Sequence, residues 1–207
     1  RVMSQLANTI EDMEQAAQAA QALAGEGEGD LSPRLMNWLA DPDPRVRIQA
    51  IEEISGIREE WAITRLIDLT QHDPDLEVRC AALSSMGYYV YLGSCSVYDE
   101  DPPDLFQEIP QQDFERVCNF LLSVYRDPDR ALDEKRCAVE AQSYVMDDTA
   151  EDVIAELYGR PEKEAKLSAL RAMGRNGLAR WEEVLRQEVY SADLDVQIEA
   201  IEAAGEM

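Results

Sequence analysis

The sequence contains a single histidine, His72, and only four cysteines, none of which form a CxxC pair. Transition-metal sites and His-dependent nucleophilic sites need several such side chains at ligand or hydrogen-bond spacing. The chain also has no His-Glu dipeptide, no GxSxG motif and no glycine-rich phosphate loop after a strand. We therefore expect no catalytic residues, no metal and no cofactor.

Three of the cysteines, Cys80, Cys118 and Cys137, lie within helical patterns and are interpreted as small core residues. Cys95 lies in an expected loop and should be the one that reagents reach. The chain has too few cysteines for its length to suggest a disulfide framework, which is typical of proteins in a reducing compartment. We therefore expect a cytoplasmic protein.

Positive charge is also scarce, with 19 basic against 43 acidic residues and a formal net charge of −24. Such a surface repels nucleic-acid phosphates and anionic membranes, because electrostatic attraction supplies most non-specific affinity for both. No uninterrupted apolar run reaches the roughly 18 residues of a membrane span. We therefore expect no nucleic-acid partner, no membrane and no small-molecule substrate.

No segment alternates convincingly between apolar and polar residues, so no sheet is expected. Instead, one sequence motif recurs along the chain. A column of alanines stands at steps of 32, 56, 31 and 31 residues: Ala50, Ala82, Ala138, Ala169 and Ala200. The position after each alanine is apolar in all five copies, and the position three before it is basic in four. A fixed period of this length is typical of a repeat solenoid.

Each copy has the spacing of one amphipathic helix. In the second copy Val78, Ala82, Leu83 and Met86 lie at i, i+4, i+5 and i+8, which places them on one stripe. An acidic residue seven before the alanine is expected at the helix start. The glycines five after the alanine are expected to end their helices: Gly87, Gly174 and Gly205.

A second apolar-periodic segment precedes each copy, which predicts about five antiparallel helix pairs. The pattern "LADPDPRVRIQAIEEIS", recurring as "TQHDPDLEVRCAALSSMG", resembles HEAT repeats, most closely the short type of phycobilisome-lyase-like proteins. The resemblance covers residues 31–207 and implies an all-α, right-handed α-α superhelix.

The resemblance also implies a polar ladder between successive repeats, formed by a turn acid and a helix base. By position, the ladder pairs are Asp43 with Arg47, Asp75 with Arg79 and, more loosely, Glu162 with Lys166. Ala131 and Gln197 depart from this pattern, so the ladder should be incomplete in their copies.

Two segments interrupt the regular array. The step of 56 residues between the second and third copies exceeds the repeat period by about 25 residues, which fall at 88–112. We interpret residues 88–112 as an insertion that either extends the helix or presents a contact surface. Residues 1–24 form an expected helix that either caps the first repeat or lies apart, followed by an acidic, glycine-rich linker at 25–30. We expect the chain to be part of a longer protein.

The sequence favours a non-catalytic scaffold that binds a protein partner through the concave helix surface, the tyrosine-rich insertion or both. A bilin lyase-like enzyme or accessory subunit, and a purely structural segment of a larger protein, are the alternatives. The candidate partner-binding residues combine insertion tyrosines with exposed positions of the repeated helices: Tyr88, Tyr89, Tyr91, Tyr98, Gln49, Glu52, Glu53, Ser84, Ser85, Arg171 and Glu202.

Overall fold

The computed structural model describes residues 31–98 and 109–207, with side chains for 33–94 and 109–207. These residues form ten α-helices and one 3-10 helix, without a strand among them. The helices are α1 Leu31–Trp38, α2 Pro44–Ile54, α3 Glu60–His72, α4 Leu76–Tyr98, α5 Gln111–Arg126, α6 Leu132–Gln142, α7 Asp148–Tyr158, α8 Lys163–Asn176, the 3-10 helix Ala179–Trp181, α9 Glu182–Glu188 and α10 Leu194–Glu206.

The ten helices make five pairs, which confirms the predicted all-α solenoid. We call the odd-numbered helices A helices and the even-numbered ones B helices. Each B helix packs against its own A helix and against the neighbouring B helices. The predicted helix at 1–24 and the linker at 25–30 lie outside the described residues.

Acidic side chains start most of the B helices, as the sequence predicts. The carboxylate of Asp43 accepts a hydrogen bond from the backbone N–H of Arg45, and Pro44 follows at the first helical position. Asp75 and Asp193 cap α4 and α10 in the same way. These bonds satisfy N–H groups that a helix start leaves without an intrahelical partner.

The alanine column forms the seam between B helices. All five alanines are at most 1% exposed, and the apolar column beside them is equally buried as far as Leu170. A small side chain in mid-stripe lets the next helix approach closely, because no bulky group separates the two backbones. The repeat period in the sequence is therefore the period of this packing contact.

The glycine column does not end the helices, which corrects the sequence prediction. Gly87 lies within α4 and Gly174 within α8. A Cβ added to Gly174 would stand 2.7 Å from the Cα of Ala203 on α10, and one added to Gly87 would stand 3.2 Å from the Cα of Ala141 on α6. These glycines are required by close helix contact; the left-handed helix end belongs to Gly177, whose φ is 66°.

The start of the insertion continues α4 as far as Tyr98, so the tyrosine-rich segment is helical. Cys95, expected in a loop, is part of this helix too. Tyr89 is fully buried, and its hydroxyl donates to the carbonyls of Ile54 and Ile57 in the preceding repeat. Tyr89 therefore ties two repeats together and is not part of an exposed contact surface.

Replacing Gly174 with alanine should lower the free energy of unfolding by up to about 2 kcal/mol. The new methyl group would meet the α10 backbone, and overpacking costs about 1–3 kcal/mol, more than the roughly 1 kcal/mol that alanine gains over glycine in a helix. The equivalent Gly205 has no atom within 4 Å of an added Cβ, so Gly205→Ala should be neutral or slightly stabilising. Urea unfolding followed by circular dichroism measures both; equal changes would contradict the close-contact role of Gly174.

Candidate functional site

The B helices form the inner layer of the stack. Successive B helices pack directly along the whole array, whereas successive A helices touch much less. Because the tighter layer has the shorter path, we infer that the stack curves with its B helices inside. We call the exposed side of α2, α4, α6, α8 and α10 the concave face.

A groove of about 390 Å³ opens on the concave face between α4, α6 and α8. It is lined by aromatic, small and charged side chains: Ser84, Gly87, Tyr88, Tyr91, Cys137, Glu140, Ala141, Tyr144 and Arg175. The close contact at Gly87 brings α4 and α6 together at its base. The groove therefore depends on the packing that the repeat imposes.

Three tyrosines dominate the groove wall. Tyr88 is 40% exposed and Tyr91 is 37% exposed, one helical turn apart on α4. The ring of Tyr91 meets that of Tyr144 edge to face, with centroids 5.3 Å apart and an interplanar angle of 67°. Such rings offer a large apolar area with a polar end, which suits a protein contact.

The charged side chains near the groove are held across three helices. Arg171 on α8 donates to Glu140 on α6 at 2.9 Å and to Glu199 on α10. Burial acts to lower the pKa of Arg171, but the two carboxylates raise it above its ordinary value. Arg175 lies 3.9 Å from the other oxygen of Glu140. These pairs fix the groove edge, and the two carboxylates keep Arg171 charged.

Two of the three cysteines in the described residues have a raised pKa, whereas hydrogen bonds with Cys80 and Ser84 lower the pKa of Cys137, which lines the groove. Cys80 and Cys137 are half-buried on the adjacent helices α4 and α6. Their thiols share a hydrogen bond, which together with burial raises the pKa of Cys80 well above its usual range. Burial raises the pKa of Cys118 to about 12. Cys80 and Cys118 are therefore neutral thiols at physiological pH.

The structure separates the sequence-predicted partner-binding residues into groups. Tyr88, Tyr91 and Ser84 line the groove, whereas Tyr89 and the hydroxyl oxygen of Ser85 are buried. The side chain of Tyr98 lies outside the described residues. Arg171 is half-buried between two carboxylates, and the other candidates are exposed on B helices: Gln49, Glu52, Glu53 and Glu202.

Sequence reasoning missed Tyr144, Glu140 and Arg175. Tyr88, Tyr144 and Arg175 each stand six positions after a column alanine, and Glu140 stands two after one. A comparison of exposed columns, made in the same register as the buried ones, would have found them. The predicted exposed positions included other members of these columns, Tyr88 and Glu52 among them, but not these three residues.

The polar ladder runs between repeats, with partners that differ from those expected. Arg47 forms a two-bond pair with Asp73 of the next repeat, each bond 2.8 Å, and also donates to the carbonyl of Asp41 at 2.7 Å. Asp43, its expected partner, caps α2 and pairs with the exposed Arg45. The carboxylate of Asp43 already accepts a hydrogen bond from the backbone at the start of α2. Arg47 therefore pairs with Asp73, in the turn of the next repeat.

The second step of the ladder uses Glu134, which interrupts an otherwise valine-rich column. Arg79 donates to Glu134 of the next repeat at 2.9 Å instead of pairing with Asp75. Glu134 is 2% exposed and also accepts from Arg130 and from the N–H of Ala131. The third copy therefore contains a buried carboxylate with three partners.

The fourth repeat makes the same kind of link. Lys166 pairs with Glu188 of the next repeat at 2.7 Å, and Glu162, its expected partner, pairs with Arg160 instead. Lys163 joins Asp193 and Asp195 across the same junction. Cations of one repeat thus bind acids of the next at three junctions.

Comparison with known proteins agrees with this architecture. The family described as HEAT repeats matches residues 3–87. The described residues fold as an all-α solenoid of helix pairs, the architecture of HEAT repeats. A solved structure titled as computationally designed armadillo repeat proteins for modular peptide recognition shares 17% identity, covers 86% of this chain and 82% of its own, and has a TM-score of 0.44. The search of curated proteins found no match.

Two further properties concern the described part of this HEAT-like solenoid. None of its helices is both long enough and apolar enough to cross a membrane. Within the same residues, no three His, Cys, Asp or Glu side chains gather in a metal-binding arrangement.

Replacing Arg47 with alanine should lower the free energy of unfolding by about 3–5 kcal/mol, because it leaves the carboxylate of Asp73 buried without its cation. Arg45 provides a matched control on the same helix, since its side chain is 87% exposed. Arg45→Ala should leave the free energy of unfolding nearly unchanged, because an exposed ion pair contributes little. Chemical denaturation measures both, and similar losses would show that the buried ladder pair has no special weight.

The stability contributed by Glu134 should disappear in acid. Burial acts to raise the pKa of Glu134, but hydrogen bonds from Arg79 and Arg130 lower it below its usual value. A lowered folded-state pKa means that the contribution is complete above the ordinary glutamate pKa of about 4.3 and is lost as the pH falls through the folded value.

We therefore expect Glu134→Gln to be clearly less stable than the unsubstituted protein at pH 7, with the difference shrinking toward pH 3. Denaturation midpoints at pH 7, 5, 4 and 3 give this difference. Asp152→Asn, an exposed carboxylate on α7, controls for the loss of one charge. A difference that stays constant or grows in acid would contradict the ion-paired state of Glu134.

Proposed function

We propose that this protein is a non-catalytic scaffold that binds a protein partner through its concave face, with the tyrosine groove as the main contact. The single observation that carries the proposal is that Tyr88, Tyr91 and Tyr144 line an open groove on a surface otherwise built from packed helices. Exposed aromatic side chains in a groove are typical of binding hot spots.

The stacked core supports this role because it holds the groove without help from a ligand. Neighbouring repeats are joined by buried apolar contacts and by ion pairs such as Arg47 with Asp73. A surface that is rigid before binding loses little conformational entropy when a partner docks. The neutral thiols of Cys80 and Cys118 are consistent with a binding role.

The bilin lyase-like activity and the purely structural role remain alternatives at the level of the sequence. No observation on residues 31–98 and 109–207 favours either one over binding. The acidic segment of the insertion lies outside the described residues, so the proposal rests on the concave face.

The experiment compares proteins captured from source-cell lysate by the unsubstituted protein, Tyr88→Ala and Tyr190→Ala. Tyr190 is the matched control, since it is 82% exposed and lies in the turn between α9 and α10. We expect specific proteins to be lost from the Tyr88→Ala capture by about 10-fold or more, because hot-spot truncation costs at least about 2 kcal/mol. The Tyr190→Ala capture should be unchanged.

Circular dichroism should show equal helicity in all three proteins. Identical capture by all three would contradict binding through the groove. Loss of the same proteins from both variants would show that exposed tyrosine, and not the groove, decides the capture.

A further inference from the structure

On the concave face, carboxylates without an ion-pair partner outnumber arginines without one. The arginines around the groove are already engaged: Arg136 pairs with Asp133, and Arg171 and Arg175 both lie against Glu140. Within the described part of the chain, six other carboxylates on B helices have no ion-pair partner: Glu52 and Glu53 on α2, Glu77 on α4, Glu164 on α8, and Glu202 and Glu206 on α10. The face therefore presents unpaired carboxylates, while its arginines are paired.

This excess extends along the stack instead of forming one cluster. The six unpaired carboxylates lie on four different B helices, on both sides of the groove. The whole chain has a net charge of −24, so the field near the concave face attracts cations over a long range. An elongated basic segment would meet a carboxylate at several successive repeats.

The groove adds a contact that suits one kind of basic side chain. The faces of tyrosine rings attract cations, and arginine is the cation found most often over such rings. Arginine also stacks its planar guanidinium on aromatic rings and is less strongly hydrated than lysine. Tyr88 and Tyr91 present exposed ring surface within the groove.

We propose that the concave face binds a basic, arginine-containing peptide segment, with one arginine seated against Tyr88 and Tyr91 and further cations against the unpaired carboxylates. This inference rests on the proposed scaffold function and names the chemistry of its partner. The rigid groove supplies the specific contact, and the distributed carboxylates supply attraction and orientation.

The test uses fluorescence anisotropy with two labelled ten-residue peptides, one alternating arginine with glycine and one alternating glutamate with glycine. The arginine peptide should bind and the glutamate peptide should not. Raising the salt from 50 to 500 mM should weaken binding at least about 10-fold, because exposed charges are screened. Tyr88→Ala should weaken binding about 3- to 30-fold, the range of a cation–aromatic contact, while Tyr190→Ala should leave it unchanged.

A pair of double variants with the same net charge tests the carboxylates. Glu52→Gln with Glu202→Gln removes two carboxylates of the concave face, and Asp152→Asn with Glu156→Gln removes two exposed ones from the A helix α7. The first double variant should weaken the arginine peptide several-fold more than the second. Equal effects would show attraction by overall charge and would overturn the placement on the concave face.

Three other results would also overturn the inference. These are no binding of the arginine peptide, equal binding of both peptides, and an effect of Tyr88→Ala no larger than that of Tyr190→Ala. If the arginine peptide fails while lysate capture still depends on Tyr88, the scaffold function stands and the basic partner is wrong. If capture does not depend on Tyr88, the scaffold proposal itself fails.

Discussion

The close contact between successive B helices is the interaction on which the rest of the structure depends. It requires a buried alanine in every repeat, and at the α8–α10 junction it also requires Gly174 opposite Ala203. Because the inner layer packs more tightly than the outer one, the contact also produces curvature. The concave face and its groove are consequences of side chains too small to keep the helices apart.

The buried ion pairs add a second constraint at the same junctions. Arg47 with Asp73 and Arg79 with Glu134 both join one repeat to the next. Paired charges in a core add little net stability over apolar packing, but an unpaired buried charge is costly. The pairs therefore penalise any stacking that separates them, while the apolar seam supplies most of the stability.

At the groove, the repeated helices keep their buried small and apolar residues, whereas their exposed residues differ from those of the other copies. Gly87 keeps α4 and α6 in contact, while Tyr88 and Tyr91, just beyond it, turn their rings to the open side. Tyr89, between them, points inward and bonds to the preceding repeat. One short helical segment thus serves both the core and the proposed binding surface.

The sequence by itself determined the helix pairs, their number and the buried columns, because a period of 31 residues and a 3.6-residue stripe are local, repeated signals. The partners of Arg47, Arg79 and Lys166, the role of Gly174 and the grouping of Tyr91 with Tyr144 were decided only by the tertiary structure. Each joins residues of neighbouring repeats that are between 22 and 55 positions apart, the limits being Lys166 with Glu188 and Arg79 with Glu134. Their distance depends on how closely the helices pack, and a pattern within one helix does not contain that distance.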